Sequence, residues 1–323
     1  MAWAAGIKPA TAGVVPATQA TPAMPLPHGN QMNGFQRPPP LVGVQGGKAP
    51  WRGPGAEPLA LSRCAPGRIV GAMDPISRLD RGDGTHLAWH RTPGRSPTVV
   101  FLPGYRSDMA GEKATMLAAF CAARGQALLR FDYSGHGASD GAFEDGTIGI
   151  WAADALAAID ALSEGPLVLV GSSMGGWIAL LTALARPARV AGLLGIAAAP
   201  DFTETLMWAA MAPPERAALL RDGVLRVPSQ YGEPYAITRA LIEDGRTHLL
   251  LNAPIAIDCP IRLLHGQRDP DVPWETALRI AERVRAEDVR LTLVKDGDHR
   301  LSRPQDLLLL RETLASLLDQ NGT

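Results

Sequence analysis

One segment constrains this chain more than any other: Leu167-Val168-Leu169-Val170-Gly171-Ser172-Ser173-Met174-Gly175-Gly176, followed by Trp177-Ile178-Ala179-Leu180-Leu181. Four apolar residues, a serine between small residues and a run of helix formers read as strand, tight turn and helix, with the pattern G-x-S-x-G at the turn. Small residues at 171, 175 and 176 let backbone pass where a side chain would clash. The remaining chain agrees with an α/β architecture. Apolar runs predict strands at about 86–91, 98–102, 127–133, 167–171, 191–197, 261–265 and 290–294. Amphipathic stretches predict helices at 110–124, 148–162, 174–186, 274–285 and 305–318. Continuous apolar strands separated by helices imply a mostly parallel central sheet covered on both faces. Residues 201–253 break the rhythm, with no convincing strand, two short helices and Pro213, Pro214, Pro228 and Pro234. An insertion there reads as a small cap over the strand ends.

Composition divides the chain in two. Residues 1–72 hold 12 of the 28 prolines, 11 of the 34 glycines and only 7 charged residues. Such a stretch is low in complexity and cannot offset its ordering entropy by burial, so it reads as a disordered tail. It lacks the continuous apolar core of a secretory signal, and its prolines forbid a long amphipathic helix. Translation starting at Met73, where acidic residues become frequent, is the favoured reading, with a linker or targeting tail as the alternative. Residues 73–323 are ample for one large domain. A net charge of −1 without a basic run disfavours nucleic-acid or anionic-membrane binding. The uncharged stretch 165–185 is interrupted by its glycines and does not suit a membrane span. Cys64, Cys121 and Cys259 form neither a zinc spacing nor a disulfide framework, so a reducing, cytoplasmic setting is expected. Mitochondrial location is the alternative if residues 1–72 are a targeting tail.

The same G-x-S-x-G pattern recurs at Gly137-Ala138-Ser139-Asp140-Gly141, but in a loop with no helix start. Context therefore assigns Ser173 as the nucleophile and sets Ser139 aside. On an elbow of this kind the acid and then the histidine follow the serine along the chain. His299, in Lys295-Asp296-Gly297-Asp298-His299, follows the last strand and is placed to take the serine proton. A surface histidine or a metal cluster with Asp296 and Asp298 is the competing reading, but no second histidine or cysteine lies in register. Asp269, just beyond the strand 261–265, is assigned the acid, with Asp271 and Asp201 as rivals. The backbone N–H groups of Met174 and Tyr105 are expected to form an oxyanion hole. Met207, Trp208 and Met211 are candidates for an apolar acyl slot, with ordinary helix packing as the competing role. His136 is given no chemistry. No cofactor and no metal are expected.

Phe101-Leu102-Pro103-Gly104-Tyr105, Arg130-Phe131-Asp132-Tyr133-Ser134-Gly135, the elbow, Cys259-Pro260-Ile261-Arg262-Leu263-Leu264-His265-Gly266 and Asp298-His299-Arg300 together resemble the α/β-hydrolases. Within them the Pro-Gly-Tyr opening and the Cys-Pro-Ile-Arg run are most similar to the tenth α/β-hydrolase-domain subgroup, of mitochondrial acyl-protein thioesterases and acyl-glucuronide esterases. The likeness covers about residues 77–318. It implies Ser173, Asp269 and His299 as a triad acting on an acyl ester, an acyl thioester or an acylated protein. Another substrate class on the same scaffold (a carbon–carbon bond, a lactone or a peptide) is the alternative, and a non-catalytic binding protein the more distant one.

Overall fold

The computed structural model describes residues 76–229 and 232–320. The expectations for residues 1–72 and for Met73 lie outside the described residues. Eight strands form one sheet: β1 (Ser77–Asp80), β2 (His86–Thr92), β3 (Arg95–Leu102), β4 (Gln126–Phe131), β5 (Leu167–Ser172), β6 (Val190–Ile196), β9 (Ile261–Gly266) and β10 (Val289–Val294). Their order is β1-β2-β4-β3-β5-β6-β9-β10. The β1–β2 and β2–β4 pairs are antiparallel and every later pair is parallel. β1 is not evident in the sequence because it is a short edge strand, Ser-Arg-Leu-Asp, with a single apolar residue.

Although the central strands are apolar throughout, their pleat still sorts side chains between two layers. Val99, Phe101, Val168 and Val170 pack on one face with Leu117 of α1 (Glu112–Arg124) and Leu314 of α7 (Pro304–Gln320). Val100, Leu102, Leu167 and Leu169 pack on the other with Trp151 of α2 (Ile148–Leu162) and Trp177 of α3 (Met174–Ala185). Ile280 of α6 (Glu275–Arg283) joins this second layer. The ends of α1 and α2 follow from local chemistry. Gly125 closes α1 in the left-handed region at φ 64°, where a side chain would be strained, and Thr147 caps α2 by accepting from Ile150 N–H.

The register matters for function. Leu102 pairs with Gly171 across β3 and β5, and Ser172 pairs with Ile196 across β5 and β6. The loops leaving β3 and β5 at their C-terminal ends are therefore neighbours, the position where open α/β sheets hold their ligands.

Between β6 and β9 the chain builds the cap: a π-helical turn at Thr203–Trp208, α4 (Pro213–Asp222), β7 (Val224–Ser229), β8 (Gly232–Thr238) and α5 (Arg239–Thr247). The antiparallel β7–β8 hairpin corrects the strand-free expectation for this region. Pro228 and Pro234 read as strand breakers, yet a two-stranded ribbon is all edge and tolerates them. The ladder passes Pro228 with a register irregularity between Val227 and Ser229. Met211, Leu219, Ile237 and Ile242 give the cap a small core of its own.

Candidate active site

Ser173 sits between β5 and α3 at φ 54° and ψ −119°. For a residue with a Cβ this conformation costs of order 1–3 kcal/mol, so the surroundings must over-determine it. Three backbone hydrogen bonds do so: Ser173 N–H to Ile196 O (2.9 Å), Gly176 N–H to Ser173 O (2.9 Å) and Ala199 N–H to Ser173 O (3.1 Å). Glycine is obligatory at 175 because a Cβ there would stand inside the carbonyl group of Leu102. The strained turn leaves the Ser173 hydroxyl facing a cavity rather than capping its helix.

His299 reaches that hydroxyl. Its Nε2 lies 3.0 Å from Ser173 Oγ, and its Nδ1 lies 2.8 Å from Asp269 Oδ2. The Asp269 side chain is fully buried. Burial alone would push this carboxyl up, but hydrogen bonds from His265 and His299 outweigh it and hold the carboxyl well below the usual range. A carboxylate kept ionised beside Nδ1 fixes the tautomer that leaves Nε2 facing the serine as an acceptor. The histidine loop is itself anchored. Asp298 Oδ1 accepts from Leu301 N–H (3.0 Å), and Lys113 Nζ donates to Arg300 O (2.5 Å) and Ser302 Oγ (3.3 Å).

The rival acids have other work. Asp201 is buried and accepts from Leu250 N–H (2.8 Å) and Leu251 N–H (2.9 Å), tying the start of the cap to its end. Asp271 donates its N–H to Asp269 Oδ1 at 2.8 Å. One ligand atom each of Asp269, Asp271 and His299 falls within 4.8 Å of the others. Both ring nitrogens of His299 are already engaged by Ser173 and Asp269, so the cluster reads as a hydrogen-bond relay. Ser139, the decoy, donates to Asp132 O (2.7 Å) and accepts from Ala88 N–H (2.8 Å), which is a loop-fastening role.

The loop after β3 runs over the elbow. A Cβ on Gly104 would lie 3.2 Å from Ser172 O and 3.4 Å from Ser173 Cβ, so only a small residue admits this approach. Tyr105 follows, its ring packed against Phe143, Trp151 and Phe202 with centroids 4.9, 5.9 and 5.8 Å away. Its hydroxyl donates to Ala236 O in β8 (3.3 Å), joining loop and cap. Met174 is the first residue of α3, where N–H groups have no partner within the helix.

Two residues given no role by sequence reading brace this loop. Asp132 Oδ1 accepts from Met109 N–H (2.7 Å) and Oδ2 from Ala138 N–H (2.9 Å). His136 Nε2 accepts from Arg106 N–H at 3.3 Å, and burial pulls the imidazole down to about 4, so it stays neutral and able to accept. The signal available was the Asp132-Tyr133-Ser134-Gly135-His136-Gly137 run directly after β4, which is rich in turn formers.

Ser173 and His299 open into a cavity of about 830 Å³. One wall comes from the cap and includes Leu206, Met207, Met211, Leu225 and Val227. Another comes from the start of α1 and the histidine loop and includes Glu112, Lys113, Arg300 and Ser302. Met207 and Met211 line the cavity, and Met211 is at the same time part of the cap's own core. Trp208 does not line it, and this corrects the sequence reading. Its ring packs against the cap's small core, with the guanidinium groups of Arg216 and Arg246 5.1 and 4.6 Å from the ring centre.

The Alpha/beta hydrolase family model matches residues 99–308. The chain belongs to the α/β hydrolase family. It is 43% identical over 251 residues to the human protein named palmitoyl-protein thioesterase ABHD10, mitochondrial, covering 77% of this chain and 81% of that one. The solved structure of mouse α/β hydrolase domain-containing protein 10 is 40% identical with a TM-score of 0.72, covering 77% of this chain and all of that one. A structure from Agrobacterium vitis S4 is 44% identical with a TM-score of 0.72, covering 76% and 99%. The mitochondrial location in the names of the mammalian relatives counts against the cytoplasmic expectation and agrees with its alternative. No helix among the described residues of this hydrolase is long and apolar enough to cross a membrane.

Proposed function

We propose that this hydrolase cleaves acyl thioesters and esters through a Ser173–His299–Asp269 triad. The observation that carries the reading is the chain of contacts from Ser173 Oγ through His299 to the buried Asp269 at 3.0 and 2.8 Å, at the floor of a cavity with an apolar wall. In this reading His299 Nε2 takes the serine proton as Oγ attacks the acyl carbonyl, and Asp269 steadies the imidazolium that forms. The negative charge on the carbonyl oxygen is met by the N–H groups of Met174 and Tyr105, which the Gly104 approach brings over the elbow. His299 returns the proton to the departing thiol or alcohol, leaving an acyl-enzyme that water then hydrolyses by the same route. The mammalian relatives' name, palmitoyl-protein thioesterase, directs the substrate class to long acyl chains on thiols, and Met207 and Met211 line the wall such a chain would meet. No cofactor enters any step.

The test is Ser173→Ala. Turnover of p-nitrophenyl butyrate and labelling by a fluorophosphonate should both fall by at least about a thousand-fold. Retained labelling would remove Ser173 from the mechanism. The compartment is tested separately, by fractionating cells that express the full chain.

A further inference from the structure

We propose that His265 is a positioning residue that holds an N–H beside Asp269 Oδ2 and so limits how strongly Asp269 pulls on His299. The inference rests on the triad reading above. His265 lies near the end of β9 and is completely buried. Its Nε2 is 3.2 Å from Asp269 Oδ2 and 3.0 Å from the carbonyl oxygen of Val272. Both neighbours only accept, so Nε2 carries the hydrogen; it is hydrogen-bonded to Val272 O, and Asp269 Oδ2 lies beside the same N–H. The opposite ring nitrogen, Nδ1, is buried without a partner. An orphaned polar atom is a standing cost that a leucine of similar size would avoid, which marks the Nε2–H as the reason for a histidine here.

With that N–H in place, donors stand against both oxygens of Asp269. Oδ1 accepts from Asp271 N–H and Val272 N–H, both at 2.8 Å, while Oδ2 is shared between His299 and His265. A carboxylate held at both oxygens cannot rotate away from His299. Sharing Oδ2 with a second donor also spreads its charge, which makes it a weaker acceptor for His299 Nδ1. Removing the His265 N–H concentrates the charge on His299 and favours the imidazolium, which cannot act as base. The groups facing His299 are Ser173, Asp269 and Asp271; those facing the Asp269 carboxylate are His265 and His299. All of them except residue 265 stay in place in the variants below.

The experiment is the pH profile of kcat/KM for p-nitrophenyl butyrate over roughly pH 5 to 9, on the full chain. His265→Leu should move the acidic limb upward by about half a pH unit or more. It should also lower the plateau about ten-fold. His265→Gln, which restores an N–H donor, should keep the limb within about 0.2 pH units of the parent. A limb that does not move in His265→Leu, or that moves equally in both variants, overturns the proposal. If the leucine variant does not fold, His265→Asn makes the same comparison, its shorter amide withdrawing the donor from Oδ2. Fluorophosphonate labelling separates the two levels. Labelling that survives Ser173→Ala defeats the triad reading, whereas labelling lost there with an unmoved limb defeats only the role of His265.

Discussion

The two walls of the cavity are built in opposite ways. The cap wall is largely aliphatic and thioether, drawn from the π-helical turn and the β7–β8 hairpin, and it offers area rather than direction. The wall formed by α1 and the histidine loop is charged, and most of that charge is spent internally: Lys113 holds Arg300 O and Ser302 Oγ, and Arg300 lies 3.8 Å from Glu112. The first wall can select an acyl chain by burial, since each methylene removed from water is worth about 0.8 kcal/mol whatever its exact seat. The second is tied through Lys113 to the loop that carries His299. Under the proposed function, the first wall sets which substrate is preferred and the second sets how fast any substrate reacts.

The sharpest way to break that division is a charge on the cap wall. Met207→Asp places a carboxylate where a long acyl chain would lie, and burying it unpaired costs several kcal/mol. Hydrolysis of a dodecanoyl ester should fall about a hundred-fold in kcat/KM, while an acetyl ester loses less than about three-fold. Equal losses on both would show that the cap wall does not read chain length.

The opposite wall is tested by Lys113→Met. It should lower kcat about ten-fold for short and long acyl chains alike, leaving their ratio unchanged. Lys113 also carries a pH signature. Burial, then the Arg300 charge, bring its ammonium down to about 8, against the opposing pull of Glu112, Asp298 and Asp306. An unfolded lysine titrates near 10.4, so between about pH 8 and 10 the unfolded chain binds more protons than the folded one. Stability gains from Lys113 as pH rises through that window, and the methionine variant lacks the gain. The melting temperature of the variant minus that of the parent should then fall by about 2–4 °C from pH 7.5 to 10, roughly 1 kcal/mol after allowing for solvent screening. A constant difference would mean that Lys113 is as well hydrated as any surface lysine.

How legible these parts were in the sequence follows the range of the interactions that build them. The elbow, seven strands of the sheet and the helices on its faces were readable because each is a local run of apolar or amphipathic residues. The contacts among Ser173, Asp269 and His299 could be anticipated because strand ends converge on one edge of a parallel sheet. The hairpin of the cap was not readable, since its prolines argue against strands and only pairing between β7 and β8 overrules them. The bracing by Lys113 was also hidden, and that by Asp132 and His136 showed only as a run of turn formers after β4. Each contacts backbone brought near by the fold, as in the bond from Lys113 to Arg300 across 187 positions. His265 stood in a predicted strand and in the Cys259–Gly266 run but was given no role, because nothing local distinguishes a histidine that serves an acid four residues later.

Trp208 gives the smallest expected effect and marks the outer limit of the cap wall. Its neighbour Met207 faces the cavity, and one residue further along the π-helical turn the indole has Arg216 and Arg246 against it instead. Arg216 Nε also donates to Trp208 O (3.1 Å), and Arg246 pairs with Glu204 at 2.6 Å, so the cluster ties the turn to α4 and α5. Trp208→Ala should therefore cost about 1–2 kcal/mol of stability through lost packing and cation–π contact. It should leave the dodecanoyl-to-acetyl preference within about two-fold, because no surface of the acyl wall is removed. Thermal melts and the same two esters measure both. If the preference instead changed ten-fold, the wall would have to extend through the turn to its outer side, and the division between selecting and accelerating walls would fail at that point.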